Sequence, residues 1–146
     1  MKLVYNKKYR DLLVKQTKEQ LLFFLQNSID FSIVVNIESG GVEFTPELPE
    51  EIRSGFQAFT LFTISGYTFQ SAFVKDEQFV FEAGFGSQNF GAVVYVDIDR
   101  ILQILMGETP VFINVTASVE QNKPKDSFEV FASKNRNKKF FKNKLD

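Results

Sequence analysis

Glycines and carboxylates are the residues of this chain whose spacing could do chemistry. Gly84-Phe-Gly86 followed by Gly91 has the outline of a phosphate loop, in which backbone N–H groups cradle an anion. The spacing fits neither G-x-G-x-x-G nor a P-loop, no Lys-Ser/Thr pair follows, and the glycines lead into a strand-like segment rather than a helix start. Asp97 and Asp99 would make a carboxylate pair. They stand where strand periodicity gives way to helical spacing, so the pattern favours an N-cap, with one carboxylate accepting backbone N–H bonds ahead of Ile101. Glu47, Glu50 and Glu51 fall in a Pro-rich stretch and read as a solvated acidic loop, with oxygen ligation of a hard cation as the alternative.

Two absences narrow the chemistry further. The sequence has no Cys, which removes disulfides, a thiolate nucleophile and Cys-ligated zinc, and no His, which removes the usual general base, the Ser-His-Asp arrangement and the commonest metal ligand. The expectation is a protein that is not an enzyme and takes no cofactor or metal. Eighteen Phe against four Tyr and no Trp mean that large rings build the core, with some free to line a groove. No run is long and apolar enough for a signal peptide or a membrane span, so a cytoplasmic location is expected.

Charge is unevenly spread. Residues 1–20 carry six basic and two acidic side chains, residues 21–133 five and fifteen, and residues 134–146 six and one. An acidic body with basic ends is not the footprint of a nucleic-acid-binding face, which would be positive over a folded surface.

The elements that position these residues can be read from periodicity. Leu12, Leu13, Leu21, Phe24 and Leu25, with Lys15, Lys18 and Glu19 between them, predict an amphipathic helix from about Lys8 to Asn27. Strands are predicted at Phe31–Ile37, Val42–Phe44, Thr60–Ile64, Thr68–Phe73, Gln78–Phe85, Ala92–Val96 and Val111–Val115. Turns fall at Glu38 to Gly41 and Lys75 to Glu77, and Ile98, Ile101, Leu102 and Leu105 are spaced as a short helix. One helix succeeded by short strands and Gly-containing turns is a mainly β fold, a small two-sheet β-sandwich or half-open barrel over residues 1–119. Residues 120–146 read as a short linker and a basic, mobile tail.

The order of these segments resembles the SspB-type adaptors, which deliver tagged proteins to the ClpXP protease. Phe81, Ala83, Phe85 and Gly86 match that family's strand Phe-x-Ala-Arg-Phe-Gly-Gly. Val94, Val96, Ile98, Ile101, Leu102 and Ile104 match the family's next, Val-rich strand and short apolar helix, with two extra residues in the turn between. Leu21 to Asn27, Phe31 to Ile37 and Leu61 to Thr68 are similar to the family's first helix and early strands, so the likeness covers roughly residues 7–117. The resemblance implies a helix on a small β-sandwich or Sm-like barrel, and a homodimer contact through that helix. The apolar stripe of the helix packs on its own sheet or faces a second subunit.

With no catalytic group left, a binding surface remains, on which an extended peptide lies along strands and buries alternate side chains. The resemblance implies a tag groove between Ile64, Ser65, Gly66 and Tyr67 and the strand residues Ala83, Gly84, Phe85 and Gly86. Phe85 and Ile64 would be apolar wall or core, Ala83 would leave room for peptide backbone, and Gly86 would permit close approach. Gly84 replaces a family Arg that helps hold the polar, acidic tag, with Lys75 and Arg100 as candidate substitutes. The family's second element, a C-terminal apolar and basic docking segment, has a chemical counterpart in Lys139, Phe140, Phe141, Lys142 and Leu145. The expected function is therefore an adaptor that brings ssrA-like tagged polypeptides to the ClpX unfoldase. The rivals are an Sm-like RNA-binding barrel, against which the acidic body counts, and a chaperone using a Phe-rich face on one protein partner.

Overall fold

The computed structural model describes residues 2–38 and 40–120. The chain opens with a long helix α1 (Lys7–Gln26), capped by Asn6, whose side chain accepts from the Tyr9 N–H at 2.9 Å. Its inner stripe is Leu13, Thr17, Leu21 and Phe24, at the three-to-four spacing of one helix face, and the Thr17 hydroxyl is satisfied by the Leu13 carbonyl at 2.7 Å. Leu12 and Phe23, on the neighbouring face, are exposed.

Two four-stranded antiparallel sheets make up the rest. One has the order β3 (Phe59–Ile64), β1 (Phe31–Asn36), β7 (Ile101–Met106), β8 (Thr109–Ile113). The other has the order β2 (Val42–Thr45), β6 (Phe90–Asp97), β5 (Gln78–Phe85), β4 (Phe73–Lys75). Two short helices, α2 (Glu50–Arg53) and α3 (Gly66–Ser71), flank β3 in the chain. This is the mainly β, two-sheet sandwich with an N-terminal helix that the periodicity predicts.

The core is a chain of rings. Phe31, Phe79 and Phe81 are buried where the sheets face each other, and Phe24, Phe44, Phe56, Phe62 and Phe85 join them with centroids 5.4–6.3 Å apart. Most of the contacts around Phe62 and Phe85 are edge-on, the geometry that brings positive ring edges to negative faces.

Two predicted elements are corrected. The segment Ile98–Leu105 is not a helix but a 3-10 turn at Ile98–Arg100 leading into β7. Val35 pairs with Ile101 but Val34 with Gln103, so Leu102 is the extra residue of a bulge. The bulge places the inward residues Ile101 and Ile104 three apart, which imitates a helix period. The segment Thr68–Phe73 is not a strand: α3 takes Gly66–Ser71, and only Phe73–Lys75 pairs, with Gln78–Val80. Phe69 there packs edge-on to Phe31, a tertiary contact that outweighs the alternation of Phe69, Ser71 and Phe73. Strand β8 also begins and ends two residues earlier than predicted, because Val115 starts a 3-10 turn (Val115–Ser118).

The predicted caps at Asp97 and Asp99 are corrected as well. Asp97 precedes the 3-10 turn without a side-chain cap bond; its carboxylate accepts from the Gln78 amide at 3.0 Å. Asp99 lies 3.5 Å from the Arg100 guanidinium. Among the described residues no group of acidic side chains is placed to hold a metal ion, and no helix is long and apolar enough to cross a membrane.

Candidate functional site

The feature that makes a site is an unfinished strand edge. Strand β5 pairs with β6 along its whole length, Gln78 to Phe85, but β4 covers only Gln78, Phe79 and Val80 on its other side. The Glu82 N–H points to that other side, where it donates to the Ser71 hydroxyl of α3 at 2.9 Å. Backbone groups alternate edges along a strand, so the N–H and C=O of Gly84 point the same way, beyond the reach of β4. Helix α3 therefore ends the ladder with one side-chain bond and leaves Gly84 as open strand edge.

Side chains alternate too. Phe79 and Phe81 face the core, which puts Glu82 and Gly84 on the outer face of the sheet, next to Gly91 and Val93 of β6 and Thr45 of β2. These residues floor a groove of about 510 Å³. Tyr67, Ser65 and Thr68 of the α3 segment wall one side, and Pro46 and Asn89 also line it. The Tyr67 hydroxyl donates to Glu82 Oε1 at 2.7 Å. That bond, then the charge of the same carboxylate, then slight burial, hold the Tyr67 phenol above its ordinary value, so it stays a neutral donor.

Asn89 explains the glycine at position 84. The turn from β5 to β6 holds Asn89 at φ 55° and bonds its N–H to the Gly86 carbonyl at 3.1 Å. Its side chain then folds back over Gly84, and any Cβ added at Gly84 would overlap the Asn89 amide. A side chain at position 84 has to displace the Asn89 amide, which occupies the space instead. Periodicity could not find Asn89 or Glu82 as groove residues, because their roles come from the β5–β6 turn and from α3, not from a strand pattern.

The sequence-predicted site divides. Ser65, Tyr67, Ala83 and Gly84 line the groove, Ala83 through a position that also packs on the core. Gly66, at φ 58°, turns the chain into α3 beside them. Ile64 is fully buried and is core, not wall. Phe85 has its ring among Phe44, Phe56 and Phe62, and with Gly86 it borders a separate recess of about 320 Å³ beside Ile52. Neither proposed substitute cation reaches the groove. Arg100 is 4% exposed at the corner between β6 and β7, where it donates to the Val119 carbonyl, and Lys75 pairs with Gln78 at the far end of β5. The tail residues Lys139, Phe140, Phe141, Lys142 and Leu145 lie outside the described residues.

Compared with protein-family models, curated proteins and solved structures, the chain matches none.

Proposed function

We propose that this chain is a non-enzymatic adaptor that grips an extended polypeptide in the groove beside β5. One observation supports the reading: a strand edge left open at Gly84, floored by a glycine and walled by Ser65 and Tyr67, beside a groove of about 510 Å³. A peptide pairing there gains backbone hydrogen bonds without any catalytic group, and its alternate side chains meet the groove. The finer reading draws on the resemblance to SspB-type adaptors. The bound segment is a C-terminal degradation tag of the ssrA kind, and Lys139, Phe140, Phe141, Lys142 and Leu145 dock on the ClpX unfoldase in the cytoplasm. Tethering would raise the effective concentration of substrate at the protease and leave its chemistry unchanged. Leu12 and Phe23, exposed on α1, are the apolar residues available for a homodimer contact.

Fluorescence anisotropy with a peptide carrying the host's own ssrA tag, against a scrambled tag, tests the groove. Sequence-dependent binding that is lost in Gly84→Val is the expected result, and equal or absent binding of both peptides overturns the assignment of an ssrA-like tag. Replacing Phe140 and Phe141 with Ala should spare peptide binding and abolish enhanced degradation. Undiminished delivery by that double variant would remove the tail from the mechanism.

A further inference from the structure

We infer that the segment held in this groove presents a lysine or arginine to Glu82, so that the groove selects cationic over acidic peptides. The inference rests on the peptide-binding part of that reading and departs from its finer part, since a groove that prefers a cationic segment disfavours the acidic ssrA-like tag.

The charge inside the groove is of one sign. Strands β2, β5 and β6, which form its floor, carry Glu43, Glu82 and Asp97 and no Lys or Arg. Glu43 is on the same outer face as Thr45, two residues along β2, and Asp97 is turned toward Gln78. Glu82 is thus the ionisable carboxylate inside the groove, while Arg100 is buried at the corner and Lys75 stands at the far end of the sheet. An acidic side chain entering here would meet a like charge with no cation of the floor strands to offset it.

The positioning of Glu82 points the same way. Its backbone N–H is held by Ser71 and its Oε1 by the Tyr67 hydroxyl, so both the strand and the carboxylate are oriented before any peptide arrives. Among the described residues Oε2 has no hydrogen-bond partner. A carboxylate fixed by one neutral donor, half-buried in the lining of the groove, with a second oxygen still unpartnered, is a ready acceptor for a charged donor. Bonds of that kind are roughly twice as strong as neutral ones. Asn89, standing over Gly84, supplies a neutral amide next to it, which suits the backbone or a polar side chain of the same segment.

The test uses the full-length chain labelled with nitrogen-15 and three peptides, Ala-Ala-Asn-Ala-X-Ala-Asn-Ala-Ala with Lys, Gln or Glu at X, read through the backbone signals of Gly84 and Gly91. The Lys peptide should bind about tenfold more tightly than the Gln peptide, and the Glu peptide more weakly than both. In Glu82→Gln the Lys and Gln peptides should come to the same affinity, and in Glu82→Lys the order should invert. Equal affinities of all three peptides for the unaltered chain, with both glycine signals shifting, would leave the groove standing and overturn the charge preference. A Lys preference that persists in Glu82→Gln would assign it to the acidic body at large and overturn the role of Glu82. If no peptide moves either signal, the groove reading and this inference fail together.

Discussion

Two polar regions of this sandwich meet opposite fates. At the corner where β6 gives way to β7, Asn36, Arg100, Asn114 and Thr116 are almost wholly buried. The Asn36 amide donates to the Ala117 carbonyl at 2.9 Å, Asn114 Oδ1 accepts from both the N–H and the hydroxyl of Thr116, and the Asn114 N–H reaches the Leu102 carbonyl at 2.7 Å. In the groove, Tyr67 and Asn89 stay exposed, Glu82 stays half-buried, and its second carboxylate oxygen has no hydrogen-bond partner among the described residues. The corner has exchanged water for protein partners at these atoms, with the Asn114 side-chain nitrogen left buried and unpartnered, and so fixes the crossing between sheets. The groove leaves its polar groups to solvent, which a ligand can displace. Polarity by itself does not mark a site, and neither does one unpartnered buried atom; polarity that the fold leaves facing solvent does.

The hardest blow to the corner is Asn114→Ala. It removes the Asn114 Oδ1 acceptor of the Thr116 N–H and hydroxyl and opens a cavity at a fully buried position, and should cost about 3 kcal/mol of unfolding free energy, read from urea denaturation with an unchanged slope. A loss below about 1 kcal/mol would mean the corner is no more structural than the groove. Gly41→Ala comes next. Gly41 sits at φ 84° with its carbonyl accepting from the Asp97 N–H at 2.7 Å, and an added Cβ would stand 2.7 Å from Arg100 Cγ. Strain at positive φ together with displacement of a buried arginine should cost about 1–2 kcal/mol. By contrast Glu82→Gln should leave the unfolding midpoint where it is while altering peptide binding. A matching loss of stability would erase the distinction between the two regions.

The corner and the groove are unequally legible from sequence. Strands β5 and β6 can be read from the alternation of Phe79, Phe81, Ala83 and Phe85 against Ala92, Val94 and Val96, because a sheet buried on one face imposes a period of two. The corner misleads, since the bulge at Leu102 spaces Ile101 and Ile104 as a helix would, and a bulge depends on the partner strand. Tyr67, Ala83 and Gly84 enter the site through the resemblance, whereas Glu82 and Asn89 do not. Their parts depend on the Ser71 contact and on a turn held at φ 55°, neither of which has a hydrophobic period.

Asn89 offers a subtler probe of the groove. In Gly84→Ala the new methyl must push the Asn89 amide aside, a shift of an exposed side chain that should cost about 1 kcal/mol or less. In an Asn89→Gly background the same change should be close to neutral, since glycine tolerates φ 55° and leaves the space empty. A double-mutant cycle by denaturation measures the coupling. Additive costs would show that the amide does not rest on Gly84 in solution.

The smallest effect is the titration of Tyr67. Its phenol is held above the ordinary tyrosine value first by the hydrogen bond to Glu82 and then by that carboxylate's charge. The neutral form is the one favoured in the folded chain, so the contribution of this bond is fully present below the ordinary tyrosine range. It is lost as pH rises through the raised folded value. Because the group is exposed, the effect on stability is slight, and the carbon signal beside the Tyr67 oxygen is the better readout. In Glu82→Gln the titration should move down toward the ordinary value, and saturating Lys peptide should move it the same way, since a bound cation shares the carboxylate and offsets its charge. A titration that ignores both changes would mean that Tyr67 does not hold Glu82. The groove would then be as loosely ordered as any exposed polar patch, and the contrast with the corner would rest on burial alone.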